Sequence, residues 1–367
     1  VTDQTTHIAG GRVPLPGLSS RAYEHPADRS ALVALRSLTG FDTVLKALSG
    51  FFRERSHRLM YLASSVRVSD RQFLDVDTMY AELVTILDLP ERPELFVERS
   101  PNAYAMAMGM DKPFVVVSTG MLDLLEPDEL RFVLAHELGH VMSGHAVYRT
   151  MLHHLIRLSA RAAWVPMGYL GLRAVIGALE EWQRKSELSA DRAGLLGCQD
   201  PGAGLRSLMK MAGGARLYEM DEAAFLEQAA EYDAAGDLRD GVLKLLNLEG
   251  RSHPFTVLRA AELQRWVDDG DYAAILGGSY PRREDDQHAS FTDEVKATAK
   301  SYKRSIDESA DPLIKLVKSV GDEAFGLGGR IFAKMGGTRT STPSGTTRTA
   351  DHEDVVDGEI IDDDPAN

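Results

Sequence analysis

Leu134-Ala135-His136-Glu137-Leu138-Gly139-His140 is the stretch on which the reading of this chain turns. At about 100° per residue, two positions four apart differ by roughly 40° on a helix, so His136 and His140 project from one face, one turn apart. That spacing suits two ligands of a single zinc ion. Glu137 lies beside them, where a carboxylate takes a proton from a metal-held water instead of ligating the metal. Five residues with three fixed positions recur by chance, so the flanks matter. Phe132, Val133, Leu134 and Ala135 precede the motif and Val141 and Met142 follow it. They mark a buried helix, in which two imidazoles without partners would be costly.

A catalytic zinc needs a third protein ligand. One known arrangement requires a glycine three residues past His140 and a histidine six past it, but Ser143 and Ala146 occupy those places. On a continuous helix His145 falls roughly 140° around from the ligand face, which argues against a metal role for it. The other arrangement takes a carboxylate from a second helix, and Ser186-Glu187-Leu188-Ser189-Ala190-Asp191 offers Glu187 and Asp191 at i and i+4. One can bind metal while the other accepts the second ring N–H of a ligand histidine.

The 367 residues are 44% apolar and 26% charged, which fits a folded globular body. A net charge of −14 argues against a general nucleic-acid binder. The single cysteine, Cys198, excludes internal disulfides and Cys-based metal clusters, so metal ligands must be His, Asp or Glu. Val1 to Gly17 has no charged segment followed by an apolar run, which predicts no secretory signal and a cytoplasmic chain.

Composition divides the chain as follows. Residues 1–20 are expected to form a flexible arm and 21–92 an N-terminal helical layer, with helical phase at Ala27–Leu48 and Val76–Leu87. The arginines between them (Arg53, Arg55, Arg58, Arg67, Arg71) read as a solvated face. Residues 93–276 are expected to form the catalytic domain. Its short strands lie around Leu95–Val97, Tyr104–Met108 and Phe114–Val117, and a helix opens at Glu126-Pro127. Residues 277–335 read as a C-terminal helical segment, and 336–367 as a disordered Gly/Ser/Thr linker and acidic tail. The expected class is α+β, predominantly helical, with a small β-sheet over the active-site helix and helical additions at both ends.

Between Glu94 and Arg265 several motifs stand in order: Pro101-Asn102-Ala103-Tyr104-Ala105, Val117-Ser118-Thr119-Gly120-Met121-Leu122, the His136–His140 motif, Glu187 with Asp191, and Ser252-His253-Pro254 followed by Arg259. Together they resemble the zinc metallopeptidases that include HtpX and the Ste-type CAAX prenyl proteases, peptidase family M48 of the gluzincin group. The resemblance implies a zincin-like fold and one Zn²⁺ held by His136, His140 and Glu187, with Asp191 behind a ligand and Glu137 as general base. His253 is then the candidate for oxyanion stabilisation, with Arg259 supporting it. The strand at Asn102, Ala103, Tyr104 and Ala105 can pair as an edge with an extended polypeptide substrate. The implied activity is a zinc endopeptidase acting on unfolded or membrane-associated proteins, as in protein quality control. The competing reading is a catalytically quiet, zinc-stabilised scaffold or chaperone-like binder, against which an intact Glu137 argues.

No acidic residue occurs from Val147 to Leu179, whereas Arg149, Arg157, Arg161 and Arg173 do. If the active helix continued, Arg149, His153, Arg157 and Arg161 would form one cationic stripe. The 147–179 insertion and Asp311–Lys334 are the two candidates for peripheral contact with the inner face of a membrane. A helical hairpin buried against the N-terminal layer is the preferred reading of the first, because 11 uncharged residues fall short of the roughly 20 a span needs. The acidic tail weakly resembles those of bacterial seventy-kilodalton heat-shock chaperones, and docking to a chaperone or adaptor is the alternative to a solubilising role.

Overall fold

The computed structural model describes residues 11–36, 54–109, 112–162, 166–234 and 256–286. The expected helix beyond residue 36, the Ser252-His253-Pro254 segment, the helical segment from 287 to 335 and the tail from 336 lie outside the described residues. The described elements are α1 (Pro26–Arg36), α2 (Glu54–Ser64), β1 (Val66–Arg67), α3 (Leu74–Ile86), β2 (Glu94–Glu98), β3 (Ala105–Met108), β4 (Phe114–Ser118), α4 (Thr119–Leu124), α5 (Pro127–Met142), α6 (His145–Ala162), α7 (Pro166–Cys198), α8 (Pro201–Gly213), α9 (Glu222–Ala234), α10 (Thr256–Asp268) and α11 (Asp271–Leu276). This is the α+β class that the sequence predicts. No described helix is long and apolar enough to cross a membrane.

The sheet runs in the order β1-β2-β4-β3, with β2 and β4 parallel and the outer pairings antiparallel. Phe114-Val115-Val116-Val117 is buried throughout, as a central strand covered on both faces should be. One face packs with α3 and α5; the other holds a small cluster of Tyr61, Phe96, Met108, Phe114 and Val116. β3 is an end strand. The turn before it is pinned by Ser118, whose Oγ accepts from the Tyr104 and Met121 amides at 3.0 and 3.1 Å. β1 was not foreseen among the arginines. It pairs antiparallel with β2, Val66 with Val97 and Arg67 with Phe96, and Arg58 and Arg67 both bond Glu94 on β2, so those two are paired and not merely solvated.

α5 starts at Pro127, and Glu129 Oε2 accepts the Glu126 amide at 2.8 Å, satisfying a donor that the first helical turn leaves over. The same carboxylate meets Lys210 Nζ of α8 at 2.8 Å. α5 crosses α7 closely because the contact is made of the smallest residues. A Cβ on Gly139 would stand 2.5 Å from the Cβ of Ala193, and one on Gly197 would collide with Ala135. Phe132, fully buried, packs beside Gly194 and Gly204. Burying such a ring contributes about 1.5–3 kcal/mol.

Two sequence expectations are corrected here. Residues 11–20 are not a loose arm: Leu15 and Leu18 are 1% and 0% exposed. Gln199 brackets Val13 with two hydrogen bonds of 2.8 and 2.7 Å, and the Leu15 amide donates to Ile86 O. Apolar Val13, Leu15 and Leu18 among the glycines and prolines give the segment something to bury. It is closed from the far end by Arg283, whose amide donates to Gly17 O and whose guanidinium bonds Asp88. The continuation of α5 also fails: the helix ends at Met142, Gly144 takes φ +69°, and Arg149, His153, Arg157 and Arg161 recur on a separate helix, α6. Beyond that break the α6–α7 pair buries Met151, Leu155, Leu179 and Trp182 together with Ala31 of α1, a hairpin against the N-terminal segment.

Gly139→Ala should lower stability by about 1–3 kcal/mol, read as a lower urea midpoint at unchanged slope, since neither helix backbone can yield easily. Cys198 is 1% exposed and burial pushes its thiol up to about 12. Its reaction with a disulfide reagent at pH 8 should therefore be negligible in the native protein and complete on unfolding.

Candidate active site

The α5–α7 crossing places His136 and His140 opposite Glu187. Their Nε2 atoms are 3.2 Å apart, and Glu187 Oε2 and Oε1 stand 3.4 Å from His136 Nε2 and His140 Nε2 respectively. Donors on a tetrahedral zinc with bonds of about 2.0–2.1 Å lie about 3.3–3.4 Å apart. The two Glu187 contacts end on different oxygens, and one donor atom from each of the three residues lies within 4.8 Å of the others, close enough to share one ion. All three residues are buried.

Charge gives a second test of fit. Asp28, Glu137, Glu187 and Asp191 are each at most 2% exposed around this cluster, and the cations facing them are Arg259 and Arg149. Among the described residues Asp28 has His145 as its partner, and Glu137, Glu187 and Asp191 share the two guanidinium groups, which leaves a deficit of positive charge in a water-poor interior. That deficit is costly unless a divalent cation enters. Without the cation, His136 is the group that responds. Burial depresses its pKa, but hydrogen bonds to Asp191 and Glu187 outweigh burial and raise it to about 9. His140 goes the other way, held well below its ordinary value by burial and by the Arg149 charge.

Both far ring nitrogens are held. His136 Nδ1 is 3.0 Å from Asp191 Oδ1, and Arg259 clamps that carboxylate with Nε and Nη2 at 2.7 and 2.5 Å. Burial raises the Asp191 pKa and Arg259 more than reverses this, keeping the carboxylate ionised. Arg259 is thus turned to Asp191, with Nη1 3.6 Å from Glu187 Oε2, and its geometry is that of a clamp. His140 Nδ1 meets not a carboxylate but His145 Nδ1 at 3.0 Å. His145 Nε2 is in turn 3.1 Å from Asp28 Oδ2, to which Ser189 Oγ donates at 2.6 Å. The path therefore runs from the His140 imidazole through that of His145 to the Asp28 carboxylate on α1, and returns to α7 at the Ser189 hydroxyl.

Glu137 lies on the same turn as the ligands, with Oε1 3.9 Å from His136 Nε2 and Oε2 3.6 Å from Arg149 Nη1. Ala105 opens the end strand β3, while Asn102, Ala103 and Tyr104 form its approach. His253 lies outside the described residues. Reading the sequence missed Asp28, His145 and Arg149: a continuous helix turns His145 away from the ligand face, and Arg149 was grouped with a cationic stripe. The Ser143-Gly144 pair was the available signal, since glycine just past a helix end redirects the chain.

A helix-borne imidazole pair, an adjacent acid and a carboxylate from a second helix define a metallopeptidase of the zincin class. The model of Peptidase family M48 matches residues 70–267, and the chain belongs to that family. It is 37% identical over 265 residues to the plastoglobule-localized metallopeptidase 48, chloroplastic, of Arabidopsis thaliana, covering 71% of this chain and 76% of that protein. Protease HtpX of Psychrobacter sp. (strain PRwf-1) is 32% identical over 109 residues, 30% of this chain and 35% of that one. Protease HtpX homolog 2 of Methanosarcina mazei is 38% identical over 90 residues, 24% and 30% of the two chains. The chain thus matches about a third of these HtpX relatives' own length. No solved structure matches it. The protein is a metalloprotease with polypeptide substrates.

Asp191→Ala should weaken metal affinity about 10–100-fold, measured by competition with a coloured chelator, because it frees a ligand imidazole to rotate and leaves Arg259 unpaired.

Proposed function

We propose that the metal is zinc, one per chain, held by His136, His140 and Glu187, and that the protein is an endopeptidase for unfolded or membrane-associated polypeptides. The observation that carries this reading is the convergence of three buried donors within reach of one ion, inside a cluster where carboxylates outnumber guanidinium groups.

Zinc bound there supplies Lewis acidity, polarising a carbonyl and bringing a water toward ionisation near neutral pH. Glu137, one residue from the first ligand, takes the proton of the attacking water and delivers it to the departing amide nitrogen. Asp191 and His145 keep both imidazoles turned with Nε2 inward. The end strand β3 and its approach, Asn102 to Ala105, offer main-chain groups to an extended substrate, a mode that gives affinity with little side-chain selectivity. His253 is proposed to face the oxyanion.

A lipid-associated setting is supported by two features: the name of the plastoglobule-localized relative, and the absence of acidic residues from 147 to 179. Contact would be peripheral. Chaperone or adaptor docking by the acidic tail belongs to the same proposal.

Glu137→Gln should keep about one zinc per chain and lose casein cleavage by at least about 10³-fold; cleavage at the wild-type rate would refute the assigned base. Zinc-replete wild-type protein without activity would point to a scaffold. Glu187→Ala should lose the metal, while Glu181→Ala, whose carboxylate is 42% exposed and pairs with Arg184 and Lys185, should not. Flotation with anionic liposomes, with and without residues 147–179, tests the membrane role. Protein left wholly in the soluble fraction counts against it.

A further inference from the structure

We propose that Arg149 is the positioning residue of the general base: its guanidinium holds one oxygen of Glu137 so that the other faces the reacting water. This rests on the assignment of Glu137 above and adds a residue to that site.

Arg149 arrives there because of the helix break. Gly144, at φ +69°, ends α5 and restarts the chain as α6, whose first turns face back toward the metal-binding helices. His145 and Arg149 are i and i+4, so they share a face of α6. His145 reaches the back of His140, and Arg149 reaches Glu137. The arginine side chain is 9% exposed, a poor place for a cation with no task.

The two oxygens of Glu137 are divided between two environments. Oε1 stands 3.9 Å from His136 Nε2, on the side of the ligands, and Oε2 stands 3.6 Å from Arg149 Nη1. Both Glu137 Oε2 and Arg149 Nη1 are buried atoms without a hydrogen-bond partner among the described residues, and they face each other. At 3.6 Å the pair is electrostatic and not yet hydrogen-bonded. A shift of under an ångström closes it, in the manner of catalytic contacts that tighten on substrate binding. Arg149 Nη1 also lies 3.8 Å from Glu187 Oε1, so the same group spans base and ligand and keeps two like-charged carboxylates at fixed separation. A carboxylate general base free to rotate would spend part of its time with neither oxygen aimed at the water. Orientation effects of this kind act on kcat more than on KM.

The test uses full-length, zinc-loaded protein carrying Arg149→Met, Arg149→Lys, Glu137→Gln and the Arg149→Met/Glu137→Gln pair. Steady-state cleavage of a fluorogenic peptide and the affinity of a peptide hydroxamate, a zinc binder that also bonds the base carboxylate, are both measured. Arg149→Met should keep about one zinc per chain and a single cooperative melt at a lower temperature, since two buried carboxylates lose a cation, and should lower kcat about 10²-fold while changing KM less than about threefold. Arg149→Lys should recover about tenfold of the loss. Hydroxamate binding should weaken about tenfold when Arg149→Met is introduced into the wild-type protein, and should not change when it is introduced into the Glu137→Gln variant. Equal weakening in both backgrounds, or an undiminished kcat, would overturn the proposal. So would a fall in kcat matched by lost zinc. If Arg149→Met does not fold, Arg149→Lys decides: wild-type kcat and hydroxamate affinity reject a role for the guanidinium fork, and a drop in kcat at full zinc upholds it. Activity surviving in Glu137→Gln would instead remove the base assignment itself.

Discussion

The metal centre depends on how near two helix backbones can come. α5 carries both histidines and α7 carries Glu187 and Asp191, and the donors meet only because Gly139 and Ala135 face Ala193 and Gly197 across the crossing. Larger side chains at these four places would push the helices apart by about an ångström or more, and a zinc polyhedron tolerates a few tenths. Small residues in a helix interior lose packing area and, for glycine, helix propensity. The protein accepts that loss along one seam and recovers it in the surrounding Phe132, Leu138, Leu195 and Leu196, which are fully buried.

Around that seam the polar groups form two layers. Each histidine is oriented from behind, His136 by Asp191 with Arg259 and His140 by His145 with Asp28, so neither ring can turn without breaking a buried hydrogen bond. Among the described residues the carboxylates outnumber the guanidinium groups, and against the effect of burial Asp191 and Glu187 raise the proton affinity of His136. An interior arranged this way is prepared for a doubly charged guest. The helices hold the donors in place before it arrives.

Much of this was legible in residue order. The i, i+4 histidines with an acid between them, and the second i, i+4 pair of acids, are statements about one helix face, which periodicity reveals. Three of the four strands, β2, β3 and β4, were legible through Pro101-Asn102 and Asp111-Lys112-Pro113, where turn chemistry brackets apolar runs. Less visible was anything that depends on where a helix stops. Taking α5 through Ser143-Gly144 turned His145 away from the ligand face and grouped Arg149 with a cationic stripe, and a single glycine φ redirects both. Asp28 and the packed segment Gly11–Ser20 were hidden for another reason. Their partners, Ser189, Gln199 and Arg283, are more than 150 positions away, and local pattern carries no sign of such contacts.

That distance has a bearing on folding. Asp28 near one end of the described chain and Arg259 near the other both contribute to the shell behind the same two imidazoles. Contacts so remote in sequence form late, after the intervening chain has been closed into place. Until the helix that carries Arg259 docks, Asp191 lacks its clamp and the support behind His136 is incomplete.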